Sequence, residues 1–211
     1  MPYKNLIFDF GNVLFDLDLP RIEQELRRLS GVHFEAAREK LQRERVFELY
    51  ETGGLSTAEF IDALRFAGPV PLSEEAVTDA WNGIFIEMPR SRFELLLQLR
   101  QRYQVFLLSN INELHERWIA DYMQRAHGIH DFEHRYFDAV YYSHLIRLRK
   151  PDREIYEYVL ADAEILPEES FFIDDLEVNI EAARKLGIHA ELKRAEEPLE
   201  KLLSRFLILD A

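Results

Sequence analysis

Asp9 follows the apolar run Leu6-Ile7-Phe8, and Ser109-Asn110 follow Val105-Phe106-Leu107-Leu108. Ser143 follows Ala139-Val140-Tyr141-Tyr142, Lys150 precedes Pro151, and Asp174-Asp175 follow Phe171-Phe172-Ile173. Runs that are apolar on both faces suit strands of a parallel sheet covered by helices on each side. In open α/β sheets, ligands bind beyond the carboxyl ends of such strands. A carboxylate, a hydroxyl with an amide, a lysine and an acidic pair are therefore expected at one edge. Three acids gathered there repel one another unless a cation sits among them. Oxygen ligands without histidine or cysteine favour a hard ion, and magnesium is the expected one.

The elements that must position these residues are legible as alternating patterns. A fifth, weaker strand pattern covers Ile188 to Leu192, and helical patterns fall at about 90–103, 112–126, 152–163, 177–186 and 196–208. Pro151 suits the first turn of one helix and Gly187 the stop of another. Strand alternating with helix predicts an α/β protein with a Rossmann-like, doubly wound, mostly parallel sheet. Residues 18–87 break the rhythm and read as a run of helices with no convincing strand. Ser56 and Glu59 have capping-box spacing, while Gly53-Gly54 and Gly68-Pro69 mark turns. The expected organisation is a core of 1–17 with 88–211, and a helical cap of 18–87 over the carboxyl edge of the sheet.

Composition bounds the function. The 211 residues are 47% hydrophobic and 31% charged, as in a globular protein, and none is cysteine, which excludes disulfides and thiolate metal sites. No apolar run approaches the roughly 20 residues that span a bilayer. The opening Met1-Pro2-Tyr3-Lys4-Asn5 reaches Asp9 at once, unlike a signal peptide, so a cytoplasmic location is expected. A formal net charge of −13 disfavours nucleic acid and anionic membrane as partners. An anionic small substrate needs local positive charge from a metal, a lysine or backbone N–H groups.

Bland roles compete for the same residues. Asp9 and Asp174-Asp175 suit helix caps, Ser109-Asn110 suit a turn, and Lys150 sits among the solvent-facing candidates Arg147, Arg149 and Arg153. The Glu- and Arg-rich stretch 35–51 reads as a solvated helix face, and Phe47, Tyr50, Trp81 and Phe85 as core of the helical insertion. The histidines at 127, 130 and 134 read as an exposed connecting segment rather than a zinc site.

Four segments in order carry a resemblance. Ile7-Phe8-Asp9-Phe10-Gly11-Asn12-Val13-Leu14, Leu107-Leu108-Ser109-Asn110, Arg149-Lys150-Pro151-Asp152 and Phe171-Phe172-Ile173-Asp174-Asp175 with Asn179 resemble the haloacid dehalogenase superfamily of hydrolases. The resemblance implies a phosphatase in which Asp9 attacks phosphorus and forms an aspartyl-phosphate. It implies that Ser109 and the Asn110 backbone N–H bind the phosphoryl group and that Lys150 offsets the gathered negative charge. It implies magnesium held by Asp9, the Gly11 carbonyl and the acidic pair, with Asp175 the direct ligand and Asp174 a water-mediated one.

One position departs from the pattern. Most phosphatases of this superfamily carry a second aspartate two residues after the nucleophile, as acid and base, and here that position is Gly11. The Asp-Phe-Gly-Asn-Val-Leu form, with Asp16 and Asp18 close behind, resembles bacterial glucose-1-phosphate phosphatases of the superfamily. An anomeric phosphate has a more acidic leaving group and needs less proton help. The expected substrate is a small phosphorylated metabolite, a sugar phosphate foremost. The rival readings are a metal-independent 2-haloacid dehalogenase and a catalytically silent phosphate-binding protein.

Overall fold

Why Asp9 can meet Ser109 and Asp174 follows from where their strands lie. In a computed structural model, which describes residues 3–206 and 208–209, five parallel strands form one sheet. They are β1 (Asn5–Phe8), β4 (Gln104–Ser109), β5 (Ala139–Tyr142), β6 (Ser170–Asp174) and β7 (His189–Leu192), in the order β5-β4-β1-β6-β7. β1 is central, and Phe8 lies in register with Leu107 of β4 and Ile173 of β6. Neighbouring strands run about 4.8 Å apart, so the residues that follow these three positions come together.

The apolar runs divide by parity between two cores, because successive side chains of a strand point to opposite faces. Leu6, Phe8, Val105, Leu107, Phe171 and Ile173 pack on one side with helices α6 (Arg90–Leu99), α7 (Glu113–His127) and α12 (Leu199–Arg205). Ile7, Phe106, Leu108 and Phe172 pack on the other with α10 (Arg153–Asp162) and α11 (Glu177–Arg184). This is the doubly wound arrangement expected. The helix expected at 196–208 is shorter than its pattern, and its residue 207 lies outside the described residues, as do Met1 and Pro2.

Between β1 and α6 the chain forms five helices, α1 (Pro20–Ser30), α2 (Phe34–Arg43), α3 (Val46–Glu51), α4 (Thr57–Arg65) and α5 (Glu74–Asn82). They enclose a core of Leu41, Val46, Tyr50, Phe60, Leu64, Val77 and Trp81. The Ser56–Glu59 capping box is present in both directions. The interval is not strand-free, however. Asp16–Leu17 (β2) and Phe85–Glu87 (β3) pair antiparallel where the chain leaves and re-enters the sheet. Two and three residues are too short to show a period-2 pattern, and pairing of distant segments creates this ribbon. Phe85 accordingly packs against the sheet's core rather than that of the insertion.

Candidate active site

Lys150 organises the edge of the sheet. It is 2% exposed, and its Nζ donates to Asp9 Oδ1 at 2.6 Å, Asp174 Oδ2 at 2.7 Å and the Leu108 carbonyl at 2.9 Å. The Asn110 side chain holds the Lys150 backbone from both sides, donating to its carbonyl and accepting from its N–H, each at 2.8 Å. Burial alone would depress the Lys150 ammonium, but Asp9 and Asp174 outweigh it and the net shift is upward. Asp9 is pushed up to about 7, chiefly by burial, with Lys150 opposing and Asp174 adding to the rise. Burial likewise raises Asp175, against a hydrogen bond from Asn12. Carboxylate oxygens of Asp9, Asp174 and Asp175 lie within 4.8 Å of one another. Three acids against one ammonium leave an excess of negative charge that a divalent cation would balance.

The acidic pair is differently engaged. Asp174 is fully buried, and besides Lys150 it accepts from the Leu176 N–H and Asn179 Nδ2, both at 2.9 Å. Asp175 is half-buried and accepts from Asn12 Nδ2 at 3.0 Å. Asn12 reaches it from a left-handed backbone conformation, φ 54°, which asparagine tolerates better than most residues. Ser109 is buried and lines the same cavity as Asp9, Gly11, Asn110, Lys150 and Asp175, with a volume of about 290 Å³.

Residues 3–187 match the model of the haloacid dehalogenase-like hydrolases. The chain belongs to that family. It is 31% identical over 186 residues to the D-ribitol-5-phosphate phosphatase of Bacteroides thetaiotaomicron, covering 87% of this chain and 88% of that one. It is 26% identical over 187 residues to the phosphorylated carbohydrates phosphatase of Thermotoga maritima, covering 87% and 81%. A solved haloacid dehalogenase family enzyme of B. thetaiotaomicron, complexed with magnesium and inorganic phosphate, is similar with a TM-score of 0.83 at 35% identity, over 95% of this chain and 98% of that one. The family named from four short motifs is the right one, and the protein is a hydrolase whose relatives include phosphatases.

In this haloacid dehalogenase-like hydrolase, several expected residues take other places. Ser143 is fully buried and does not line the cavity; its Oγ donates to the Ile111 carbonyl and accepts from the Ile111 N–H, both at 2.9 Å. It fixes the loop after β4 instead. Asp16 and Asp18 are not among the cavity-lining residues, and Asp16 faces Arg92 at 3.8 Å. Asp16 instead lines a neighbouring cavity with Asn12, Arg92 and Asp175. A Cβ built on Gly11 would lie 2.6 Å from Leu17 Cδ1, so an apolar side chain fills the space a longer residue 11 would take.

The far wall of the cavity comes from the insertion, through Leu19, Ile22, Glu51, Trp81 and the ribbon residue Phe85. Glu51 therefore corrects the reading of 35–51 as a purely solvated face. It ends α3 and meets Arg149 across the cavity at 3.2 Å. Sequence alone carried no signal for Leu17 or the Glu51–Arg149 contact. Asn12 stood inside a quoted motif, but its hold on Asp175 depends on a backbone turn that no pattern reports.

His115 and Asn112 also line the cavity but are committed to each other and to the insertion. His115 Nε2 donates to the Trp81 carbonyl at 3.1 Å, and its Nδ1 accepts from Asn112 Nδ2 at 3.2 Å. Burial lowers this imidazole to about 4, with the Trp81 carbonyl opposing, so it is neutral at pH 7.

Proposed function

We propose that this hydrolase is a magnesium-dependent phosphatase that cleaves a small phosphate monoester, a sugar phosphate foremost, through an aspartyl-phosphate on Asp9. The observation that carries the reading is Lys150, buried and donating to both Asp9 and Asp174 beside Ser109. Residues 1–17 with 88–211 act in this reading as the catalytic core, and 18–87 as a cap that shields the site from bulk water.

The donor set fits magnesium, because the three converging carboxylates offer only oxygen. Asp9, Asp175 and the Gly11 carbonyl would hold the ion, with Asp174 reaching it through water. What supports this order is that Asp174 already serves Lys150, Leu176 and Asn179. Bound there, the ion supplies polarisation of a phosphoryl oxygen and neutralises charge.

The chain's own groups carry the steps. A carboxylate oxygen of Asp9 bonds to phosphorus in line while the ester P–O bond breaks, and the leaving alkoxide takes a proton from solvent. Ser109 and the Asn110 N–H hold the phosphoryl oxygens, and the Lys150 ammonium lowers the cost of bringing two anions together. Water then bonds to phosphorus, the Asp9–phosphorus link breaks, and phosphate leaves with Asp9 restored.

Phosphate release from a panel of hexose 1-phosphates, pentitol phosphates and simple alkyl phosphates, with magnesium or chelator, tests this reading. Release is expected with magnesium alone, and Asp9→Asn should reduce it by about 10⁴-fold or more. Halide release from 2-haloacids, indifferent to chelator, would establish the dehalogenase reading instead. The filling of the Gly11 space by Leu17 favours one second reading, a phosphate-binding protein without turnover. Magnesium-dependent phosphate binding with no release from any ester would establish it.

A further inference from the structure

The cavity presents an organic group with an apolar wall interrupted at one place. Leu19, Ile22, Trp81 and Phe85 offer carbon, whereas Glu51 is the charged side chain that the described insertion residues put into the cavity. Its partner, Arg149, comes from the residue before Lys150. The pair thus spans the junction between insertion and sheet, with side chains 29% and 30% exposed. The contact is a single one, Glu51 Oε2 to Arg149 Nη2 at 3.2 Å. No other side-chain hydrogen bond of either residue is found among the described residues, and Arg149 Nε is buried with no partner.

The amide and imidazole side chains that line the cavity are already committed. Asn110 holds Lys150, Asn112 and His115 hold each other, and Asn179 holds Asp174. The Nη donors and carboxylate oxygens of this partly exposed pair keep bonding capacity for a ligand in the cavity beyond their one mutual contact. A carboxylate that accepts and a guanidinium that donates, side by side, match adjacent hydroxyl groups, which do both.

We propose that Glu51 and Arg149 together bind vicinal hydroxyls of the substrate's organic portion, so that the enzyme selects polyhydroxylated phosphate esters over apolar ones of similar size. The inference rests on the phosphatase reading of the Asp9 site. Burial pushes the Glu51 carboxyl up, with Arg149 opposing, which accords with a carboxylate set into the cavity wall. The pair is a specificity device: it touches the part of the substrate that does not react.

The test measures kcat and KM for a pentitol phosphate and for p-nitrophenyl phosphate, in wild type, Glu51→Leu, the shape-conserving Glu51→Gln, and Arg149→Met. Each variant is expected to lose at least tenfold more kcat/KM on the pentitol ester than on the aryl ester, with the difference carried by KM. Equal losses on both esters, or a difference carried by kcat alone, would overturn the inference and leave the phosphatase reading standing. Absence of magnesium-dependent hydrolysis by wild type of both esters and of every member of the panel above would overturn the phosphatase reading, and the inference with it.

Discussion

Lys150 lies between Asp9 and Asp174 with almost no contact with solvent, so it makes a demand on folding as well as serving the role proposed for it in catalysis. Removing one member of such a buried group leaves the others uncompensated, at a cost of roughly 3–5 kcal/mol. Lys150→Met should therefore lower the unfolding free energy by an amount in that range, read from denaturant melts in chelator, and magnesium should recover part of it. Gly11 makes the opposite demand, since Leu17 Cδ1 stands 2.6 Å from where its Cβ would be. Gly11→Asp alone is expected to disturb the ribbon. Paired with Leu17→Ala, it should raise turnover of alkyl phosphates by about 10²-fold through general acid catalysis, and of anomeric phosphates by less. Steady-state rates across the two ester classes check this. Equal gains would show that leaving-group acidity does not set the enzyme's preference.

At the scale of elements, the insertion meets the sheet through a few specific contacts. Tyr50 Oη accepts from the Leu114 N–H at 3.0 Å, His115 donates to the Trp81 carbonyl, and Glu51 meets Arg149. Gly53 sits at φ +66° against the His144 carbonyl, which a Cβ would approach to 2.4 Å. That oxygen is backbone and cannot rotate away. Gly53→Ala should cost about 1–2 kcal/mol for the left-handed conformation alone, and more for the clash. Hydrogen exchange should show the loss concentrated in α3 and the start of α7.

His115 makes the same junction sensitive to acid. Its native pKa of about 4 lies below the unfolded value of about 6.5, so the native state binds fewer protons over this range. Its contribution is complete above pH 6.5 and is lost as pH falls towards 4, amounting to about 2 kcal/mol at pH 5. Thermal melts of wild type and His115→Gln should converge between pH 7 and pH 5.

For the molecule as a whole, a net charge of −13 and a cluster of three carboxylates make a divalent cation the natural counterweight. An ion that binds only the native state stabilises it by about 2.7 kcal/mol at one hundred times its dissociation constant. Magnesium should thus raise the melting temperature with saturation, and Asp175→Asn should weaken that response far more than Asp16→Asn. The sheet and its catalytic candidates were readable because the apolar runs of its three inner strands are buried on both faces and stop at polar residues. That pattern arises from local chain geometry and needs no partner to be seen. Asp9, Ser109, Lys150 and Asp174-Asp175 could accordingly be named by position alone. The tertiary structure decided the rest. The β2–β3 ribbon, the Leu17 side chain in the Gly11 space, the Asn12 contact with Asp175 and the Glu51–Arg149 pair all join segments far apart in the chain or turned by special backbone angles. Periodicity within one segment carries no information about which distant side chain will face it. That is why the residues at the strand ends could be placed from sequence, while the wall that faces them across the cavity came only from the fold.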